Sequence, residues 1–156
     1  MWFGAGSATW GDIDNDGFPD LYTTNVFGGE EFLFKNSTGT LLTNIIEESG
    51  LPSGIFGHSS AFGDMENDGD LDLFVSSFEE DRLYVFENNL DKIHATNWIS
   101  FDLIDTESNS SAIGAKIKVA AGDLVQIREK SCGDSYLSQQ SPYVHFGLGE
   151  KTIIDS

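Results

Sequence analysis

A register of 52 residues carries one part of this chain onto another without a gap. Ser7 falls on Ser59, Trp10 on Phe62 and Gly11 on Gly63. Leu21 falls on Leu73, Tyr22 on Phe74, Phe34 on Phe86 and Asn36 on Asn88. Repeats of this period mean solenoids, propellers or arrays. One unit seldom buries its own apolar face, and stacking on a neighbour does so.

Each unit reads as β. Residues 21–27 and 73–78 are rich in aromatic and β-branched side chains. Gly28-Gly29 turns the chain in the first unit, and Glu79-Glu80-Asp81 does so in the second. Residues 32–34 and 83–86 return as strands, and residues 41–46 add a short segment in the first unit. A short hydrophobic strand, an acidic loop and two or three more strands in about 50 residues make one propeller blade. After about Ala95 the acid thins and alternating patterns appear at 98–104, 113–119, 124–128 and 143–146. Gly122-Asp123 predicts a tight hairpin. The expected class is all-β: blades at 1–52 and 53–95, then a small antiparallel β domain at 96–156, with the boundary near 90–96.

The acid concentrates at one point of each repeat. Asp12, Asp14, Asp16 and Asp20 occupy loop positions 1, 3, 5 and 9, with Gly17 at position 6 for a sharp turn. The carbonyl of Phe18 at position 7 is then free to point inward. Asp64, Glu66, Asp68, the Asp70 carbonyl and Asp72 repeat the pattern. Oxygen-only ligands in this number suit a hard cation with loose geometry, which is Ca²⁺. Two sites are expected. Glu66 stands where the first loop has Asp14, and its extra methylene moves the carboxylate, so the second site is expected to be weaker. An EF-hand is excluded. Its loop needs a Glu at position 12 and flanking helices, whereas position 12 is Thr23 or Val75 inside β-type runs. A nine-residue calcium β-roll does not fit a period of 52. Solvated acidic turns are the plain alternative, but two such patterns in register are a poor match to chance.

The whole chain of 156 residues carries 26 Asp+Glu against 8 Lys+Arg, a net charge of −18. That balance excludes nucleic acid and anionic membrane faces as partners. Its hydrophobic share of 39%, with 12 Phe and 3 Trp, is enough for a folded core. No apolar run is long enough to insert in a membrane as a helix. The opening residues have no basic n-region and no apolar h-region. Cys132 is the single cysteine, so no internal disulfide forms, and an inert thiol is expected.

With aromatic-Gly before each acidic loop (Trp10-Gly11, Phe62-Gly63), the repeat resembles the FG-GAP/VCBS blade of integrin α-chain propellers and secreted bacterial proteins. The resemblance implies Ca²⁺ on the loop acids, matched residue by residue at Asp12, Asp14, Asp16, Asp20, Asp64, Asp68 and Asp72. Glu66 is a conservative departure. The stretches Asn97-Trp98, 113–119, 126–129, 136–142 and 145–149 resemble the ASPIC/UnbV domain. The combination is similar to the cartilage acidic protein family and its bacterial relatives. It implies an extracellular, cell-surface or periplasmic place, and a protein or glycan ligand. Propellers of that family have about seven blades and its C-terminal domain runs further. The chain is therefore expected to be a piece of a longer one, completed by blades that are missing here.

The expected function is calcium-stabilised binding or adhesion, without catalysis. The alternative is an enzyme or biosynthetic accessory protein that uses the propeller as scaffold. His145 with Ser135 and Asp134 makes a hydrolase-like set, but a core histidine in an alternating strand explains His145 better. The polar stretch 136–142 reads as a binding loop or, more simply, as a loop fixed by glutamine hydrogen bonds. Asn36 and Asn109 begin glycosylation sequons. Asn36 aligns with Asn88, which has no sequon, and a turn role explains it better, leaving Asn109 as the more plausible acceptor.

Overall fold

The computed structural model describes residues 5–26, 29–52, 54–77, 81–89, 96–107 and 109–155. The expected turns at Gly28-Gly29 and Glu79-Glu80-Asp81, the strand ends at Phe27 and Phe78, and the boundary near 90–96 fall partly or wholly outside them.

The repeat is visible as two antiparallel sheets. Strands β1 (Ala5–Gly11), β2 (Asp20–Asn25), β3 (Phe32–Asn36) and β4 (Leu42–Asn44) form one, in that order. Strands β5 (Gly57–Gly63), β6 (Asp72–Ser77) and β7 (Arg82–Phe86) form the other. Their registers superpose: Gly11 pairs with Asp20 as Gly63 pairs with Asp72, and Leu21 pairs with Phe34 as Leu73 pairs with Phe86. Neither sheet closes into a ring, so the all-β, blade-like expectation holds while the closed propeller is not seen among the described residues. One apolar cluster draws on both units: Tyr22 and Leu33 from the first, Ile55, Phe62, Leu71, Leu73 and Val75 from the second. Burying side chains of this size contributes about 1.5–3 kcal/mol each.

The strand before each acidic loop is not the hydrophobic strand expected. It reads Ala-Gly-Ser-Ala-Thr-Trp-Gly in β1 and Gly-His-Ser-Ser-Ala-Phe-Gly in β5. The cause is close approach. A Cβ on Gly6 would lie 2.9 Å from the Gly57 carbonyl oxygen, and one on Gly57 would lie 2.8 Å from both Thr24 and Val75 side-chain carbons. Ser7 and Ser60 hydroxyls meet at 3.0 Å across this seam. Buried Glu31 fastens the connection between units by accepting the amides of Gly54 and Phe56, each at 3.1 Å.

The C-terminal unit is two strand pairs. Strand β8 (Asn97–Phe101) pairs with β11 (Val144–Gly149), and β9 (Lys116–Ala121) with β10 (Leu124–Glu129) around Gly122-Asp123. Val119, Ala121, Val144, Phe146 and Leu148 are their shared core. Strand β9 begins later than the alternating pattern predicts. Ala112 (φ 50) and Gly114 (φ 91) hold a turn there, and Asn109 Oδ1 accepts the Ile113 amide at 2.7 Å.

Candidate metal centre

The loop after β1 curls because two of its residues adopt left-handed backbone, Asn15 (φ 56) and Gly17 (φ 96). Asn tolerates that region and Gly enters it freely. The carboxylates then fold inward onto the loop's own amides. Asp12 Oδ2 accepts Gly17 N–H at 3.0 Å, and Asp16 Oδ1 accepts Phe18 N–H at 2.9 Å. Asp20 ties the loop's ends, with Oδ2 on Ile13 N–H at 2.9 Å and Oδ1 on Asn36 N–H at 2.7 Å.

The second loop repeats these four bonds and adds a fifth, Asp68 N–H to Asp64 Oδ1 at 3.1 Å. Asp64 Oδ2 accepts Gly69 N–H (3.1 Å), Asp68 Oδ1 accepts Asp70 N–H (3.1 Å), and Asp72 accepts Met65 and Asn88 N–H (2.8 and 2.9 Å). Asn67 (φ 60) and Gly69 (φ 95) match Asn15 and Gly17.

The loops differ in what they gather. In the first, one oxygen each of Asp12, Asp14 and Asp20 lie within 4.8 Å of one another. Asp12 is 3% exposed and Asp20 fully buried. Asp12 Oδ1 and Asp14 Oδ1 are buried with no hydrogen-bond partner among the described residues. Burial first, then the neighbouring Asp16, Asp20 and Asp14, push the Asp12 carboxyl up to about 7. Burial, with Asp14 and Asp16, pushes Asp20 up to about 7 against the pull of its two amides. Asp16 also rises, chiefly through burial, but it stands outside the group of three. The backbone of Phe18 is bound to Asp16 through its amide. Lys35 forms an ion pair with Asp14 Oδ2, and that bond raises the lysine's own pKa.

Among the described residues no second group of three carboxylates meets the same spacing. Asp64 and Asp68 are half-buried, Asp70 and Asp72 buried, and Glu66 exposed. Glu66 is raised by desolvation and by its hydrogen bond to Asp72.

Three carboxylate oxygens at this spacing fit one hard cation. Calcium–oxygen distances of about 2.3–2.6 Å place two ligand oxygens of one ion at most about 5 Å apart. Unpartnered buried carboxylate oxygens are costly, and a cation removes both the desolvation and the mutual repulsion. Asp12, Asp14 and Asp20 are the residues that would hold it.

Several residues around the loop were not singled out as part of the site by sequence reasoning. Asn15 is 1% exposed and sits where three elements meet. Its Nδ2 donates to the Gly69 carbonyl (3.0 Å) and Asp70 Oδ1 (3.2 Å) of the second loop. Its Oδ1 meets His145 Nε2 at 2.7 Å, and its carbonyl accepts Gly149 N–H at 2.7 Å. Gly147 N–H donates to Asp12 Oδ2 at 3.1 Å. The matching Asn15 and Asn67 were a visible signal, as was the opposite charge of Lys35 and Glu87 at one repeat position.

The remaining candidates have partners elsewhere. Burial and the Arg128 charge push His145 down to about 4, and its ring stacks on Trp98 at 5.7 Å. Ser135 Oγ bonds Ser7 Oγ. Gln140 donates to Thr9 Oγ1 and the Trp10 carbonyl at 2.8 Å each, and accepts Phe62 N–H at 2.9 Å. Asn36 caps a turn by accepting Gly39 N–H at 2.8 Å. Cys132 is exposed. No helix among the described residues is long and apolar enough to cross a membrane.

Comparison with protein families gives two matches. Residues 12–75 match the family model described as FG-GAP-like repeat, and residues 105–156 match the one described as ASPIC and UnbV. The acidic loops lie inside the first match and β9, β10 and β11 inside the second. These matches identify neither an integrin-α-like chain nor a cartilage acidic protein. No curated protein matches the chain.

Proposed function

We propose that this chain, which joins an FG-GAP-like repeat segment to an ASPIC and UnbV segment, is a calcium-stabilised binding or adhesion module that works outside the cytoplasm. The observation that supports it is the pair of buried, unpartnered oxygens on Asp12 and Asp14 beside Asp20. Oxygen donors alone suit Ca²⁺. The ion's role is structural. It joins the end of β1, through Asp12, to the start of β2, through Asp20, and fixes the corner between them. Extracellular sites need dissociation constants of only ~10⁻⁴–10⁻³ M. At 100-fold above that constant an ion adds about 2.7 kcal/mol to stability.

A second ion belongs to Asp64, Glu66, Asp68, the Asp70 carbonyl and Asp72. It is held more weakly, because exposed Glu66 replaces Asp14. The ligand is a protein or glycan, bound without turnover, and the parent chain supplies further blades.

Thermal unfolding in calcium and in EDTA tests the reading. Calcium raises Tm in the wild-type chain, and Asp14→Ala loses part of the rise. Identical wild-type melts in the two buffers would overturn it. Turnover of the bound ligand, abolished by one substitution outside both loops, would replace the binding role with an enzymatic one.

A further inference from the structure

We propose that the face carrying the two acidic loops is the seat for the β8–β11 pair, and that cation occupancy of the first loop and docking of this pair stabilise each other. The proposal rests on the metal reading above and adds a partner to it: the chain's own C-terminal unit.

The key group is the Asp12 carboxylate, whose two oxygens face different ways. Oδ2 accepts Gly147 N–H from β11 along with Gly17 N–H from its own loop. Oδ1 is buried beside Asp14 and Asp20 without a partner among the described residues. One side chain therefore belongs to the docking contact through one oxygen and to the cation cluster through the other. Asp12 is 3% exposed, so solvent does not compensate it.

The seat is shaped for this strand. A Cβ on Gly147 would lie 2.3 Å from Asp12 Oδ2 and 2.4 Å from Asn15 Cα, so only glycine lets β11 approach. Gln126 Nε2 holds the Gly147 carbonyl at 2.6 Å and fixes the direction of the strand. Gly149 N–H donates to the Asn15 carbonyl at 2.7 Å, and Arg128 Nη2 donates to the Gly17 carbonyl at 3.2 Å. The second loop is seated by another close approach: a Cβ on Gly69 would lie 1.6 Å from Trp98 Nε1.

The coupling follows from preorganisation. Docking immobilises Asp12 and Asn15 before the ion arrives, which lowers the ordering cost of binding it. By linkage, the ion stabilises the docked pair by the same factor.

Amide hydrogen exchange with calcium titration tests this on the wild-type chain. Saturating Ca²⁺ is expected to slow exchange at Gly147 and Gly149 by about tenfold, and Gly147→Ala to weaken calcium binding by a similar factor. The Ser76 and Leu83 amides, opposite one another in β6–β7 at the end remote from Asp72, serve as the internal reference. If calcium binds but exchange at Gly147 and Gly149 follows the reference, the coupling is wrong while the metal site stands. If no calcium binds at any concentration tested, both fall. Because the exchange measurement needs no variant, a Gly147→Ala chain that fails to fold leaves the test intact.

Discussion

The Lys35 ammonium is paired with Asp14 Oδ2, while Asp14 Oδ1 is buried without a partner among the described residues. The lysine thus places a positive charge on one of the three carboxylates that gather in the first loop. The same repeat position in the second unit is Glu87. A cation entering the first loop must share Asp14 with the ammonium or displace it. Lys35→Met is therefore expected to tighten calcium binding at this loop by about five- to tenfold, a repulsion on the order of 1 kcal/mol. Calorimetric titration reads this directly. Unchanged or weaker binding would show that Lys35 supports the site.

Calcium should flatten the acid response. Asp12 and Asp20 stand at about 7 in the folded chain against an ordinary 3.8. As pH falls through that value the folded form takes up protons before the unfolded form, so acidification stabilises the cation-free fold. His145 works in the opposite direction. Held near 4 against an ordinary 6.5, it destabilises the fold as pH drops below 6.5. Between about pH 7.5 and 6.5 the two carboxylates outweigh the single histidine, whose unfolded form is only part-protonated there. In EDTA, Tm is expected to rise across this fall in pH. In saturating calcium the ion holds both carboxylates as anions down to lower pH, so this rise is expected to vanish and the gap between the two buffers to narrow. Parallel slopes in the two buffers would contradict the account.

Asn88 bridges the two units. Its Nδ2 donates to the Ile13 carbonyl at 2.7 Å and to the Leu71 carbonyl at 3.4 Å. Asn36, its counterpart, donates to the Pro19 carbonyl at 3.0 Å within one unit. Asn88→Ala leaves a polar group without its partner and should cost about 1–3 kcal/mol. For a chain of this size that is several degrees of Tm, at about 2–4 °C per kcal/mol. A melt within error of wild type would mean that the bridge carries no stability.

Glu66→Asp restores in the second loop the side-chain length that Asp14 has in the first. It is expected to tighten the weaker calcium site and to leave the first unchanged. Competition against a chelating dye separates the two affinities. A second site that weakens would show that the longer Glu66 side chain reaches the ion.

Much of the first ninety or so residues was legible because repetition makes local chemistry redundant. The matching of Asp12 with Asp64, Asp20 with Asp72 and Asn36 with Asn88 carried through to individual hydrogen bonds. Strands β1 and β5 were harder. Their small side chains are set by the neighbouring backbone, which local pattern does not record. The unequal fates of the two loops were also hidden. Asn15 is buried and Asn67 exposed, since His145 and Gly149 of the C-terminal unit reach Asn15. The Gly147 to Asp12 contact spans 135 residues. No periodicity reports such a contact.

The central claim is that Asp12, Asp14 and Asp20 hold a cation. Calorimetric titration of Ca²⁺ into the chelator-stripped chain, beside the isosteric Asp12→Asn variant, tests it most directly. The account predicts saturable binding in the wild type and loss of the tighter site in the variant, with the weaker site retained. Equal heats in both proteins, or no saturable heat in the wild type, would contradict it.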